Sequence, residues 1–296
     1  MNAGNGASNS SVSADTSLNW AGYVASSGTF TSVSAAWTIP HATSTNNNLS
    51  ADATWVGIGG ISSHDDLIQA GTQTIIQNGI PTYQAWYELL PVASVQVLLT
   101  IHPGDAMIVS LVEQPNNQWR ISFNNATTGQ NYQTLVFYNS SLSSAEWIEE
   151  MPSDQMGFVP LDNFGTISFS NGFAVQNGLD ISISGSGAQP ITMITNASQV
   201  LAAPTSIGSD GASFTVTRSS VTIPATPTII RRGRWSRTGI GVQGYAPLPQ
   251  TSRSNGHFSL GSPASFLRNF GNNMRNFNNN ARTEFQSLRK LNLQNR

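Results

Sequence analysis

Apolar and polar residues alternate in short bursts from Leu18 to about Thr222, with no convincing helical period. Val33-Ser34-Ala35-Ala36-Trp37-Thr38-Ile39 and Thr54-Trp55-Val56-Gly57-Ile58 are runs of strand length, rich in β-branched and aromatic residues. Tyr83 to Leu90, Ser94 to His102, Ala106 to Val112 and Ser213 to Thr217 read the same way. Pro103-Gly104-Asp105, Pro115-Asn116-Asn117 and Thr127-Thr128-Gly129 separate them, using residues whose backbones favour turns. Many short strands at this spacing predict an all-β fold, an antiparallel sandwich or barrel. No run of 18 apolar residues occurs, so no membrane-spanning helix is predicted.

Charge divides the chain. Only 9% of its 296 residues are charged, against about 25% in an ordinary soluble domain. The net charge of -2 is the sum of unlike parts. Residues 1–227 carry 14 acidic groups and two basic ones, Arg120 and Arg218, giving 2 - 14 = -12. Residues 228–296 carry 11 basic groups and Glu284, giving 11 - 1 = +10. Protonating every carboxylate of the first part leaves two arginines, His41, His64, His102 and the amino terminus. A body of this kind gathers little repelling charge at low pH, which fits an acid habitat.

These shifts predict three segments. Residues 1–16 are Asn/Ser/Gly/Ala-rich and read as a flexible lead. Residues 17–224 form the β-domain. Residues 225–296 form a basic, Asn/Arg-rich tail with little regular structure. The tail reads as a solvated segment; its Phe residues among Arg also fit contact with an anionic surface or nucleic acid.

Several chemistries lack their residues. No cysteine is present, which excludes disulfides, thiolate zinc sites and a cysteine nucleophile. There is no Gly-x-Ser-x-Gly elbow, phosphate loop or dinucleotide glycine motif. No metal or other cofactor is expected; His64-Asp65-Asp66 is the nearest candidate ligand group and reads as a polar loop. Carboxylates remain as the acid–base groups. Ala145-Glu146-Trp147-Ile148-Glu149-Glu150 reads as a strand with Glu146, Ile148 and Glu150 on one face and Trp147 and Glu149 on the other. Glu146 and Glu150 would stand about 13 Å apart, too far for a paired-carboxylate site in a glycosidase, which needs roughly 5–9.5 Å. Taken alone, these glutamates read as a solvated edge. In Tyr83-Gln84-Ala85-Trp86-Tyr87-Glu88, Gln84, Trp86 and Glu88 share a face; this suits a substrate groove or a Trp at the rim of the core.

The order of these motifs resembles the eqolisin family of glutamic peptidases. The matching runs are Asn19-Trp20-Ala21-Gly22, Val33 to Pro40, Trp55-Val56-Gly57-Ile58-Gly59-Gly60, Leu67-Ile68-Gln69-Ala70-Gly71 and Ala85-Trp86-Tyr87-Glu88. Gly104-Asp105, Asn125 to Gly129 and Ala145 to Glu150 continue the series. The resemblance covers about residues 18–220. It implies a lectin-like sandwich of two antiparallel sheets. It implies a catalytic glutamine at Gln69 and a catalytic glutamate at Glu150, with Trp55, Trp86 and Glu88 as substrate-binding groove residues. It also implies polypeptide substrates, activity in acid and secretion to the exterior, although the polar start of the chain lacks a signal pattern. A position that is often aspartate in the family is Gly59 here. The alternative is a carbohydrate-binding protein or glycosidase on the same sandwich. The oligomeric state and the side-chain preference of cleavage are not legible.

Overall fold

The computed structural model describes residues 15–45, 49–61, 66–154 and 157–220. The strands are β1 (Asp15–Ser17), β2 (Trp20–Ala25), β3 (Phe30–Thr38), β4 (Leu49–Gly59), β5 (Leu67–Gln77) and β6 (Ile80–Leu89). Next come β7 (Val95–Val97), β8 (Ala106–Gln114), β9 (Gln118–Asn125), β10 (Asn131–Phe137), β11 (Ala145–Glu150) and β12 (Ser153–Asp154). The last six are β13 (Gly157–Phe158), β14 (Thr166–Gln176), β15 (Leu179–Ser182), β16 (Gln189–Ile194), β17 (Val200–Pro204) and β18 (Phe214–Arg218). The described residues contain no helix, as expected of an all-β chain.

The pairing differs from two separate sheets. One hydrogen-bonded path runs β10-β9-β8-β3-β14-β18-β17-β16-β2-β11-β4-β5-β6-β7, with β1 and β15 attached at its side. The link is β14, whose first half pairs β18 and whose second half pairs β3. A slip of register between Ser170 and Phe173 lets this strand change partners. Apart from the parallel β1–β16 contact, the ladders are antiparallel. The strand expected over Ser94–His102 shortens to Val95–Val97. Strand β1 starts at Asp15, two residues inside the segment read as a flexible lead; the rest of that segment and the basic tail lie outside the described residues.

Local chemistry sets the tight connections. Asn78-Gly79 joins β5 to β6 and Asn177-Gly178 joins β14 to β15, all four residues with φ between 52° and 79°. Two-residue loops with positive φ at both positions match the twist of antiparallel strands, and Asn-Gly adopts them at least cost. The β5–β6 loop then locks a ten-pair ladder from Gln77↔Ile80 to Ile68↔Leu89.

The sheet buries both faces around β4, β5 and β11. Val56, Ile58, Ile68, Ala70 and Trp147 pack into the large core on one face. Ala53, Trp55, Leu67, Trp86, Ile148, Trp20 and Val24 form a smaller cluster on the other. Strand β11 lies between β2 and β4, so its glutamates stand at the centre of the sheet and are buried, not on a solvated edge.

Candidate active site

The face of the smaller cluster carries every candidate side chain. Strand period puts Gln69, Gly71 and Gln73 of β5, Ala53, Trp55 and Gly57 of β4, and Glu146, Ile148 and Glu150 of β11 on one side. Strand β6 adds Gln84, Trp86 and Glu88 directly opposite Gln73, Gly71 and Gln69. Gly71 sits between Trp55 and Trp86, and a Cβ there would run into the Thr54 carbonyl and the Trp55 side chain. Only glycine allows that close approach.

Glu150 is held by two donors, one on β4 and one just before β2. Trp55 Nε1 donates to Glu150 Oε2 at 2.7 Å, and Asn19 Nδ2 donates to Glu150 Oε1 at 2.9 Å. Trp20 packs edge-on against Trp55, with ring centroids 5.0 Å apart at 77°. The arrangement suits a carboxylate acceptor, because N–H donors need lone pairs to meet. Asn19 has no assigned role in the sequence reading; its signal was its place beside Trp20 at the start of β2.

Gln69 is fully buried and makes a different contact. Its Nε2 donates to Glu88 Oε2 at 2.6 Å. Gln69 Oε1, Glu88 Oε1 and Trp86 Nε1 are buried without a hydrogen-bond partner. Unmet polar atoms in such a place cost about 1–3 kcal/mol each and mark where water or a ligand group belongs. Gln69 and Glu150 share the face, two strands and four residues apart, but each is bonded to another residue. Burial first, and then the neighbouring Glu150, push the Glu88 carboxyl up to about 8, against the opposing hydrogen bond from Gln69. Lower on the same face, Gln73 Nε2 donates to Gln84 Oε1 at 2.9 Å.

Glu146 is the third carboxyl on this face, in the row of Gly57 and Gln69. It is fully buried, and desolvation holds its pKa well above the carboxylate range. Gly59 has φ +101, and a Cβ there would stand 2.6 Å from the Asp66 carbonyl oxygen and 2.9 Å from Asp66 Oδ2. The Asp66 carboxylate thus takes the space a side chain at 59 would enter, and it accepts from Ser141 N at 2.6 Å. Two pieces of the motif series lie elsewhere: Asn125 Nδ2 donates to Asp105 Oδ2 at 2.8 Å and His102 N to the same oxygen at 2.9 Å, pinning turns.

A second acidic group lies on the opposite face. Asp52, Glu149 and Asp162 are buried together, within electrostatic reach of one another. Thr54 Oγ1 donates to Glu149 Oε2 at 2.7 Å and Thr74 N to Asp52 Oδ1 at 3.2 Å. Arg218 is the nearby cation, but its hydrogen bonds go to the carbonyls of Asp162, Leu201 and Ser219. Desolvation, and then mutual repulsion for Glu149 and Asp162, raises the pKa of all three.

Comparison with known proteins shows the family. The family model described as the Peptidase A4 family matches residues 18–218. Aspergillopepsin-2 of Aspergillus niger is 25% identical over 193 residues, covering 57% of this chain and 68% of its own length. Scytalidopepsin B of Scytalidium lignicola is 30% identical over 178 residues, covering 56% and 66%. The chain thus spans about two thirds of the length of either relative. The crystal structure of scytalido-glutamic peptidase with a transition state analog inhibitor superposes with a TM-score of 0.58 at 26% identity, over 68% of this chain and 98% of that one. Aspergilloglutamic peptidase from Aspergillus niger gives 0.52 at 26%, over 57% and 99%.

Proposed function

The chain belongs to the Peptidase A4 family, and from that premise we propose that it is an acid-active endopeptidase working through Gln69 and Glu150. The observation that carries this reading is the placement of both side chains on one buried face, with Glu150 gripped by Asn19 and Trp55. Splitting an amide needs an activated water, a stabilised oxyanion and a protonated leaving nitrogen. Glu150 takes a proton from the water as its oxygen attacks the carbonyl carbon. When the C–N bond breaks, Glu150 returns that proton to the nitrogen, so the carboxylate is regenerated. Gln69 offers an N–H to the developing oxyanion; one such donor is worth about 2.7–4 kcal/mol. Trp55 and Asn19 fix the carboxylate of Glu150 so that no reorganisation is needed at the moment of proton transfer. The buried indole N–H of Trp86, which has no partner among the described residues, is left to meet the substrate backbone.

Polypeptides are the substrates in this reading, and secretion fits the family. The carbohydrate-binding alternative draws no support from the comparisons, whose named relatives are peptidases. The test is cleavage of an acid-denatured protein at about pH 4 by wild type, Glu150→Gln and Gln69→Ala, each checked for folding by circular dichroism. Both variants should lose about 100-fold or more. Full activity in either would reject the pair.

A further inference from the structure

Gln69 and Glu88 face each other across β5 and β6 with one short contact and two unmet oxygens. A carboxamide exchanges its oxygen and nitrogen by a half-turn about Cγ–Cδ. When Glu88 carries a proton, the same contact can therefore be made by its O–H donating to Gln69 Oε1. The 2.6 Å separation is short for N–H···O, which runs about 2.7–3.2 Å, and lies inside the O–H···O range of about 2.5–3.0 Å. We propose that Glu88 is a positioning residue whose proton decides which end of the Gln69 carboxamide faces the substrate.

This deepens the peptidase reading and depends on it, because Gln69 is the oxyanion donor there. With the proton in place, Glu88 O–H holds Gln69 Oε1, and the amide NH2 turns outward with two N–H donors for the oxyanion. Without it, the carboxylate captures an N–H, and Gln69 Oε1 turns toward an oxygen that is gaining negative charge. The donor is then withdrawn and replaced by a repelling dipole. The surroundings favour the productive state. Glu88 is 1% exposed, and the neighbouring charge that favours its neutral form is Glu150; Tyr138, its own phenol pushed up to about 12, stays neutral beside it. Burial holds its carboxyl up to about 8, so it keeps its proton throughout the acid range. Glu88 thus acts through Gln69, and a substrate contact is not needed to explain its burial on this face.

Substitution separates these roles. At pH 4, Glu88→Gln supplies an amide N–H in place of the acid O–H and should keep kcat within about tenfold of wild type. Glu88→Met, similar in length but without donor or acceptor, should lower kcat about 100-fold while KM moves less than about threefold. Equal loss of kcat in both variants, or a rise in KM with kcat unchanged, would overturn the proposal. A purely structural role would lower activity only in step with the folded fraction, measured by circular dichroism. Cleavage is not the sole readout. In glutamine-15N-labelled protein, the Gln69 side-chain amide resonances should shift as Glu88 titrates and stay still in Glu88→Gln. If wild type fails to cleave peptides while this shift is seen, the peptidase reading fails and the Gln69–Glu88 coupling stands. Gln69 resonances that ignore the titration in a folded wild type sink the coupling itself.

Discussion

Glu149 and Glu150 are neighbours in the chain and point into opposite faces of the same strand. Glu150 meets two N–H donors, from Trp55 and Asn19. Glu149 meets one hydroxyl, from Thr54, and two more carboxyls in Asp52 and Asp162. Both are buried to within 1% of full enclosure, so burial alone does not set their behaviour. What differs is the company. Donors supply the lone pairs of a carboxylate with partners and let it carry charge where chemistry uses it. Acids crowded together in the core must keep protons between them, because an unpaired buried charge costs several kcal/mol. In the proposed function, one face is arranged for proton transfer, and the other is expected to tie the fold to acidic surroundings.

The sharpest way to break that contrast is Glu150→Gln. It should cut cleavage by about 100- to 10,000-fold while lowering the thermal midpoint at pH 4 by only a few degrees, because the amide NH2 leaves one of the two donors unmet at about 1–3 kcal/mol. Trp55→Phe removes one charge-assisted donor and keeps the ring, so kcat/KM should fall about 10- to 100-fold, from a bond worth about 1.5–3 kcal/mol. On the other face, Asp52, Glu149 and Asp162 have folded pKa values above their usual ones. The folded protein then binds protons that the unfolded chain has released. Their contribution to stability is whole below about pH 4 and drains away as pH rises through the raised values. Unfolding on raising the pH, followed by circular dichroism, should therefore show a transition. Glu149→Gln should move its midpoint upward by about one pH unit and leave cleavage at pH 4 intact. A midpoint that does not move would assign the pH limit to other groups, such as Glu146. The smallest effect belongs to Gln84→Ala, which breaks the partly buried bond with Gln73 and should cost about 1 kcal/mol of stability at pH 4.

Alternation along the chain was enough to place most of the candidate side chains. The two-residue period of Ala145 to Glu150 separates Ile148 from Trp147, and the structure buries them in different clusters. The same period in β6 groups Gln84, Trp86 and Glu88, which indeed stand opposite Gln73, Gly71 and Gln69. Position within the sheet was not legible. The glutamates of β11 look like an edge because nothing local shows that β2 and β4 flank them on both sides. The cluster of Asp52, Glu149 and Asp162 was hidden for the same reason: its members are spread over 110 positions, and long-range pairing brings them together. A change of partners along β14 joins what the family resemblance implies as two sheets, and strand spacing alone left sandwich and barrel both open. Gln69 and Glu150 came from a resemblance of motifs, and the contacts of Gln69 with Glu88 and of Glu150 with Asn19 needed the fold.

The most direct measurement is the rate at which Glu150→Gln and Glu149→Gln, matched with wild type for folded fraction, cleave a denatured protein at about pH 4. Glu150→Gln should fall at least about 100-fold below wild type while Glu149→Gln stays within about twofold. Cleavage by Glu150→Gln at the wild-type rate, or equal loss in both variants, would contradict the division of labour between the two faces.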